Sequence, residues 1–124
     1  MKIGELARKT GLSIDTLRFY EKIRLIDRPP SDGAGRRDYG PDVLDWIAFL
    51  DRLNATGMKQ AARIRYAELR RQGDATLAER RQMIAAHRDA VANQIAMLTD
   101  ALDFLDAKIA TYIEMEKDHD RHAS

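Results

Sequence analysis

Apolar residues recur along this chain in helical rhythms, and the breaks between them mark where one helix gives way to the next. Ile3, Leu6 and Ala7 share one helix face, and Ile14, Leu17 and Phe19 to Tyr20 resume the pattern after an interruption. Gly11 supplies that interruption, because glycine accepts the left-handed backbone that ends a helix, and Ser13 offers a side-chain oxygen to cap the next one. The stretch Ile3 to Lys22 therefore predicts two short helices around a tight turn, a helix-turn-helix. Further on, Gly40-Pro41-Asp42 reads as a helix start, with proline at the first position and an acid near the positive end of the dipole. Val43, Trp46, Ile47, Leu50 and Leu53 then form a stripe, with Trp46 and Phe49 expected in the core, and Gly57 closes the helix. A fourth helix is expected from Met58 to Gln72, with Ile64, Tyr66, Ala67 and Leu69 apolar and Lys59, Arg63, Arg65, Arg70 and Arg71 polar.

Beyond Gly73-Asp74 the pattern changes character. Thr76-Leu77-Ala78-Glu79 fits a capping box, and no proline or glycine follows. Leu77, Ile84, Val91, Leu98, Leu105 and Tyr112 lie seven residues apart, and Ile95, Leu102 and Ile109 fill the alternate positions, which is the seam of a coiled coil. From Thr76 to about Met115 such a helix runs ~60 Å, too long for the front of the chain to cover, so its stripe requires a second copy. Arg81 and Arg88 interrupt the early alternate positions, so the pairing is expected to rest mainly on Ile95 to Tyr112, while Met83 and Ile84 also meet the front of the chain. The expected organisation is mainly α: a DNA-binding domain over 1–73, a dimerisation helix over 74–116 and a frayed tail over 117–124.

Between the second and third helices, Arg28-Pro29-Pro30 forbids helix and the turn-rich Ser31-Asp32-Gly33-Ala34-Gly35 leads into Arg36-Arg37-Asp38-Tyr39. This predicts a short hairpin with a basic return strand. Beside a helix-turn-helix it is a wing, placing Arg36, Arg37 and Tyr39 along a sugar-phosphate backbone.

Charge gives the pattern a partner. The chain is nearly neutral, at net +1, yet residues 1–72 hold 15 basic and 10 acidic side chains while 73–124 hold 6 and 10. A basic front suits phosphates and an acidic rear stays off the duplex. On the second helix, Ser13, Thr16, Arg18, Tyr20 and Lys22 are the candidate DNA contacts, since a helix of this size fits the major groove. Lys59, beside the free amides of a helix start, is a further candidate phosphate contact. The absence of cysteine excludes disulfides, thiolate metal sites and thiol sensing. No apolar run approaches a membrane span, and a cytoplasmic location is expected. The tail residues Asp118, His119, Asp120 and His122 have metal-ligand chemistry but no buried partner to fix their geometry, so no metal is expected. No catalytic constellation or phosphate loop is present, so an enzyme is not expected, and no cofactor is implied.

With these residues in view, the chain resembles the MerR family of bacterial transcription regulators over about Met1 to Tyr112. IGELARKTGLSIDTLRFYEKIRLI is similar to that family's opening, GRRDY to its wing, and DVLDWIAFLDRLNATGM to its third helix. The resemblance implies a winged helix-turn-helix homodimer whose long helices pair antiparallel and place two reading heads on a two-fold symmetric operator in promoter DNA. It implies that the operator lies in a promoter spacer too long for RNA polymerase, and that bending and untwisting this spacer is the regulatory act. The segments RLNATGM and YAELRRQGD look most like the aldehyde- or stress-responsive branch, several members of which sense through a cysteine near the end of the third helix. Arg52, Leu53 and Asn54 stand there instead, so no thiol switch is expected. Two alternatives share parts of the pattern: an excisionase-like architectural DNA-binding protein, which would not need the long seam, and a coiled-coil adaptor, which would not bind duplex specifically. Tyr66, Met83 and His87 mark the place where an effector pocket is expected.

Overall fold

The computed structural model describes residues 1–123. Helices dominate: α1 (Ile3–Thr10), α2 (Ile14–Lys22), α3 (Asp42–Ala55), α4 (Gln60–Arg71), a single 3-10 turn over Gly73–Thr76, and α5 (Leu77–Ala123). Two compact units result, the first Met1–Ile84 and the second made of α5 from Ala85 onward.

The α1–α2 junction forms as its sequence requires. Gly11 sits at φ 74°, in left-handed backbone, and its N–H donates to the carbonyl of Ala7 at 2.9 Å. Ser13 Oγ accepts from the backbone N–H of Thr16 at 3.0 Å, capping α2. The apolar faces then meet in one core in which Leu6, Leu17, Ile47 and Leu50 are fully buried, joined by Leu25 and Ile26 from the turn after α2. Burying a leucine or isoleucine side chain contributes about 1.5–3 kcal/mol, so this cluster sets the angle between the short helices.

Trp46 is buried and its Nε1 donates to the carbonyl of Leu25 at 3.0 Å. Its indole stacks on Tyr66, with centroids 6.0 Å apart, and Phe49 packs tilted against both rings. The core role expected for Trp46 and Phe49 is what the structure shows.

Several local expectations are corrected. The loop between α2 and α3 reverses tightly without extended strands: an isolated antiparallel bridge, Ser31 to Arg37, is flanked by backbone bonds from Asp32 N–H to the Arg36 carbonyl and from Asp38 N–H to the Pro30 carbonyl. Inside the reversal the Asp32 side chain accepts from the amides of Ala34 and Arg36, so the pairing stays confined to these few residues. Thr76 does not cap α5 through a capping box. Its hydroxyl is buried and donates to the carbonyls of Leu69 and Gly73, at 2.5 and 3.1 Å, while Glu79 faces Arg65 at 3.7 Å. The 3-10 turn feeds straight into α5, so the helix start has no free end to cap. α4 begins at Gln60 rather than Met58, with Lys59 as its extended N-cap residue. α5 continues past Met115 to Ala123, through the segment expected to fray, and Ser124 lies outside the described residues.

The basic face expected on α4 is less solvated than its composition suggests. Arg63 is buried, Arg70 lies over the Trp46 ring at 4.2 Å, and Arg71 pairs with Asp27 and with the carbonyl of Arg24. Arg24 itself takes a left-handed φ of 63°, uncommon for a residue with a Cβ. Arg71 thus ties the sharp turn after α2 to α4.

The second unit is an uninterrupted helix on which Ile95, Leu98, Leu102, Leu105, Ile109 and Tyr112 are all exposed.

Candidate nucleic-acid interface

The reading candidates on α2 divide into two faces. Arg18 and Lys22 are exposed, as is Ser13 at the cap, and Thr16 is half-buried with its Oγ1 accepting from the Ser13 hydroxyl at 2.9 Å. Tyr20 is half-buried and packs against the core, and its carbonyl accepts from Leu25 N at 2.9 Å. Two exposed cations and the small hydroxyls of Thr16 and the cap residue Ser13 are therefore what α2 and its cap present outward, together with Ile14, Asp15 and Phe19.

The loop that follows is built by Asp32. Its Oδ1 accepts from the amides of Ala34 and Arg36, at 2.8 and 3.0 Å, and its Oδ2 accepts from Lys2 Nζ and lies 3.5 Å from Arg36 Nε. Gly35 at φ 79° lets the chain reverse inside this ring of bonds. The Lys2 ammonium first, then the two backbone donors, hold the Asp32 carboxyl well below the usual carboxylate range. A lowered folded-state pKa means the tie is fully present above the unfolded value and is lost as pH falls through the folded one. The amide signals of Ala34 and Arg36 are accordingly expected to titrate together with a midpoint below the ordinary 3.8 of an aspartate, and to stop doing so in Asp32→Asn. A midpoint at or above 3.8 in the NMR titration would contradict this arrangement.

A second carboxylate joins the loop to α2. Glu21, with a side chain only 7 % exposed, lies with Oε2 3.0 Å from Arg37 Nε and accepts the Tyr39 hydroxyl on Oε1. Tyr39 is 3 % exposed, a core residue and not the surface contact expected of it. Burial, with the Glu21 carboxylate as the next cause, raises its phenol above the ordinary value, so it remains a donor throughout the working range. Arg37 is likewise turned inward toward Glu21, leaving Arg36 as the exposed cation of the two, beside the Asp32 carboxylate. The patterning hid this, because Glu21 sits among polar neighbours that read as a solvated face.

Together these ties create a cationic groove of about 370 Å³ between α2 and the loop, lined by Lys2, Ile3, Arg18, Arg28, Gly35, Arg36 and Arg37. Lys2 and Arg28 were not among the expected contacts. Both carry positive charge close to the helix-turn-helix in sequence, and that proximity is the signal that could have found them. Lys59 is exposed at the start of α4, with no side-chain cap on that helix end. The expected effector residues are distributed differently from one another: Tyr66 belongs to the aromatic cluster and half-buried Met83 to the first unit, whereas His87 belongs to the second. Of the expected dimer residues, Ile84 lies at the end of the first unit and half-buried Val91 in the second, with Ile95 to Tyr112 exposed beyond it. No helix among the described residues is long and apolar enough to cross a membrane.

The chain is similar in sequence and fold to known proteins. The sequence family described as MerR family regulatory protein matches residues 2–39. An HTH-type transcriptional regulator of Haemophilus influenzae is 38% identical over 109 residues, which cover 88% of this chain and 81% of that protein. The HTH-type transcriptional regulator AdhR of Bacillus subtilis is 34% identical over 88 residues, 71% of this chain, and the match spans 63% of AdhR's own length. Among solved structures, HiNmlR, described as a MerR family regulator lacking the sensor domain and bound to promoter DNA, superposes with a TM-score of 0.80 at 35% identity, covering 91% of this chain and 90% of that one. The helix-turn-helix, the cationic loop packed against it, the long final helix and these likenesses together establish that the chain belongs to the MerR family of DNA-binding transcriptional regulators.

Proposed function

We propose that this chain binds a two-fold symmetric operator in promoter DNA as a homodimer and regulates transcription by distorting the promoter spacer for RNA polymerase. The observation that carries the reading is the cationic groove between α2 and the loop, which sets Arg18 beside Arg28 and Arg36 where a phosphate backbone flanking an occupied major groove would run. α2 enters the groove with Ser13, Thr16, Arg18 and Lys22 outward. Arg36 takes the backbone, and Arg37 and Tyr39 hold the loop in place through Glu21. Lys59 and the free amides opening α4 take a further phosphate. The exposed stripe of α5 supplies the partner surface, which in an antiparallel pair sets the two reading heads apart on one face of the duplex.

Bending and untwisting a site of 20–30 base pairs costs on the order of 1–6 kcal/mol, and several charged contacts in each subunit offset this. Footprinting on the DNA upstream of the protein's own gene, against a scrambled duplex at physiological salt, tests the reading. A protected two-fold site with enhanced cleavage at its centre is expected, and equal weak binding to both duplexes would refute it. Arg18→Ala is expected to lower operator affinity by about 5- to 150-fold if Arg18 reads a base, following the ~1–3 kcal/mol of such a contact. If it holds a phosphate, the salt dependence of log K falls by about 0.9 and sequence preference is kept. An unchanged affinity in a titration at two salt concentrations would remove Arg18 from the interface.

A further inference from the structure

Phe19 is 46 % exposed, although the sequence places it with the apolar residues of α2 and a phenylalanine gains by burial. At about 100° per residue, it lies on the outward arc of α2 with Asp15, Arg18 and Lys22, while Leu17 and the Glu21 carboxylate point into the fold. An aromatic ring thus stands among the charges of the surface that faces DNA in the reading above.

We propose that Phe19 is a specificity-determining residue that recognises thymine, packing its ring against the C5-methyl group in the major groove. This rests on the reading of α2 as the groove helix. The chemistry selects the target: among the base edges of the major groove, the thymine methyl is the apolar group, and a ring without donor or acceptor discriminates only by finding or missing it. A cation beside it that meets phosphate fixes register and carries no base information directly. Charge complementarity selects DNA over a protein partner. An apolar protein surface laid on Phe19 would cover Arg18 and Lys22 without pairing them, whereas a duplex offers both an apolar methyl and the phosphates those cations need.

The test replaces thymine by uracil, one symmetric pair of positions at a time, in the footprinted operator. Uracil keeps every hydrogen-bonding group and lacks the methyl. Wild-type protein is expected to lose about fourfold in affinity for each methyl removed at one position per half-site, the factor that one buried apolar carbon is worth. Phe19→Ala is expected to bind the thymine and uracil duplexes equally, and Phe19→Leu to keep a reduced preference. The exposure of Phe19 means that neither variant should alter the circular dichroism spectrum; should the alanine variant unfold, the leucine variant decides alone. The proposal is overturned if no uracil position weakens the wild type, or if Phe19→Ala shows the same sensitivity. A wild-type protein that protects no site on thymine DNA would instead overturn the reading of α2, and the proposal with it.

Discussion

Replacing Leu98 and Leu105 with aspartate is expected to turn the dimer into a monomer and to lower operator affinity by about 10²–10⁴-fold. The magnitude is that of losing the second, tethered binding event when two heads no longer share one duplex. The physical ground is the state of α5 beyond Ala85. Ile95, Leu98, Leu102, Leu105, Ile109 and Tyr112 are each more than half exposed in the single chain, at 54–71 %. Their spacing keeps them on one stripe of a 47-residue helix, and each would contribute about 1.5–3 kcal/mol on burial. An aspartate at two seam positions brings unpaired charge into that contact, on a helix already acidic over its rear half. Sedimentation at micromolar concentration and operator titration check the result together. A variant that remains a dimer would show that the seam lies elsewhere on the helix.

The same experiment by deletion needs its boundary chosen with care. Cutting after Gly73 would remove Thr76, whose buried hydroxyl satisfies the Leu69 carbonyl, along with the residues that close the first unit at Ile84. A chain ending after Ile84 keeps those contacts, so its expected monomeric state and weakened binding would report on the seam and not on damage to the reading head.

Trp46→Ala is expected to destabilise the fold by about 3–5 kcal/mol, the usual cost of deleting a large buried aromatic. Three losses coincide there. The stack on Tyr66 is removed, the Arg70 guanidinium 4.2 Å from the ring loses its platform, and the Leu25 carbonyl loses the indole donor at 3.0 Å. Leu25 stands directly after the turn that ends α2, so the loss also loosens the reading helix and operator affinity should fall with stability. Trp46→Phe keeps most of the packing and forfeits the donor, for an expected loss of about 1–3 kcal/mol. Guanidinium unfolding followed by circular dichroism at fixed protein concentration measures both, since a dimer's apparent stability depends on concentration. A loss below about 1 kcal/mol for the alanine variant would mean that the aromatic cluster repacks around the gap, contrary to the usual cost of such a deletion.

Much of this molecule is legible in its sequence because the interactions that create it are local. Gly11 and Ser13 act on amides within a few residues of themselves, so the helix-turn-helix could be read directly from them. The stripe of α3 and the exposed apolar stripe of α5 follow from helical periodicity alone, which is also why the sequence of one chain suffices to propose a partner chain. What the sequence leaves undetermined is which charges face solvent. Tyr39 finds Glu21 from 18 residues away and Arg71 finds Asp27 from 44, and no periodicity encodes such pairings. Asp32, an ordinary turn residue by composition, proves to be the acceptor that gathers the amides of Ala34 and Arg36 and shapes the loop. Phe19 shows the converse, an apolar residue that a pattern assigns inward and the packing leaves outside. Local hydrogen bonds and periodic apolar faces determined the helices and their order. Only the tertiary structure decided which arginines are held by carboxylates and which remain exposed, because an ion pair depends on chain segments brought together by the core and not on the residues that flank it.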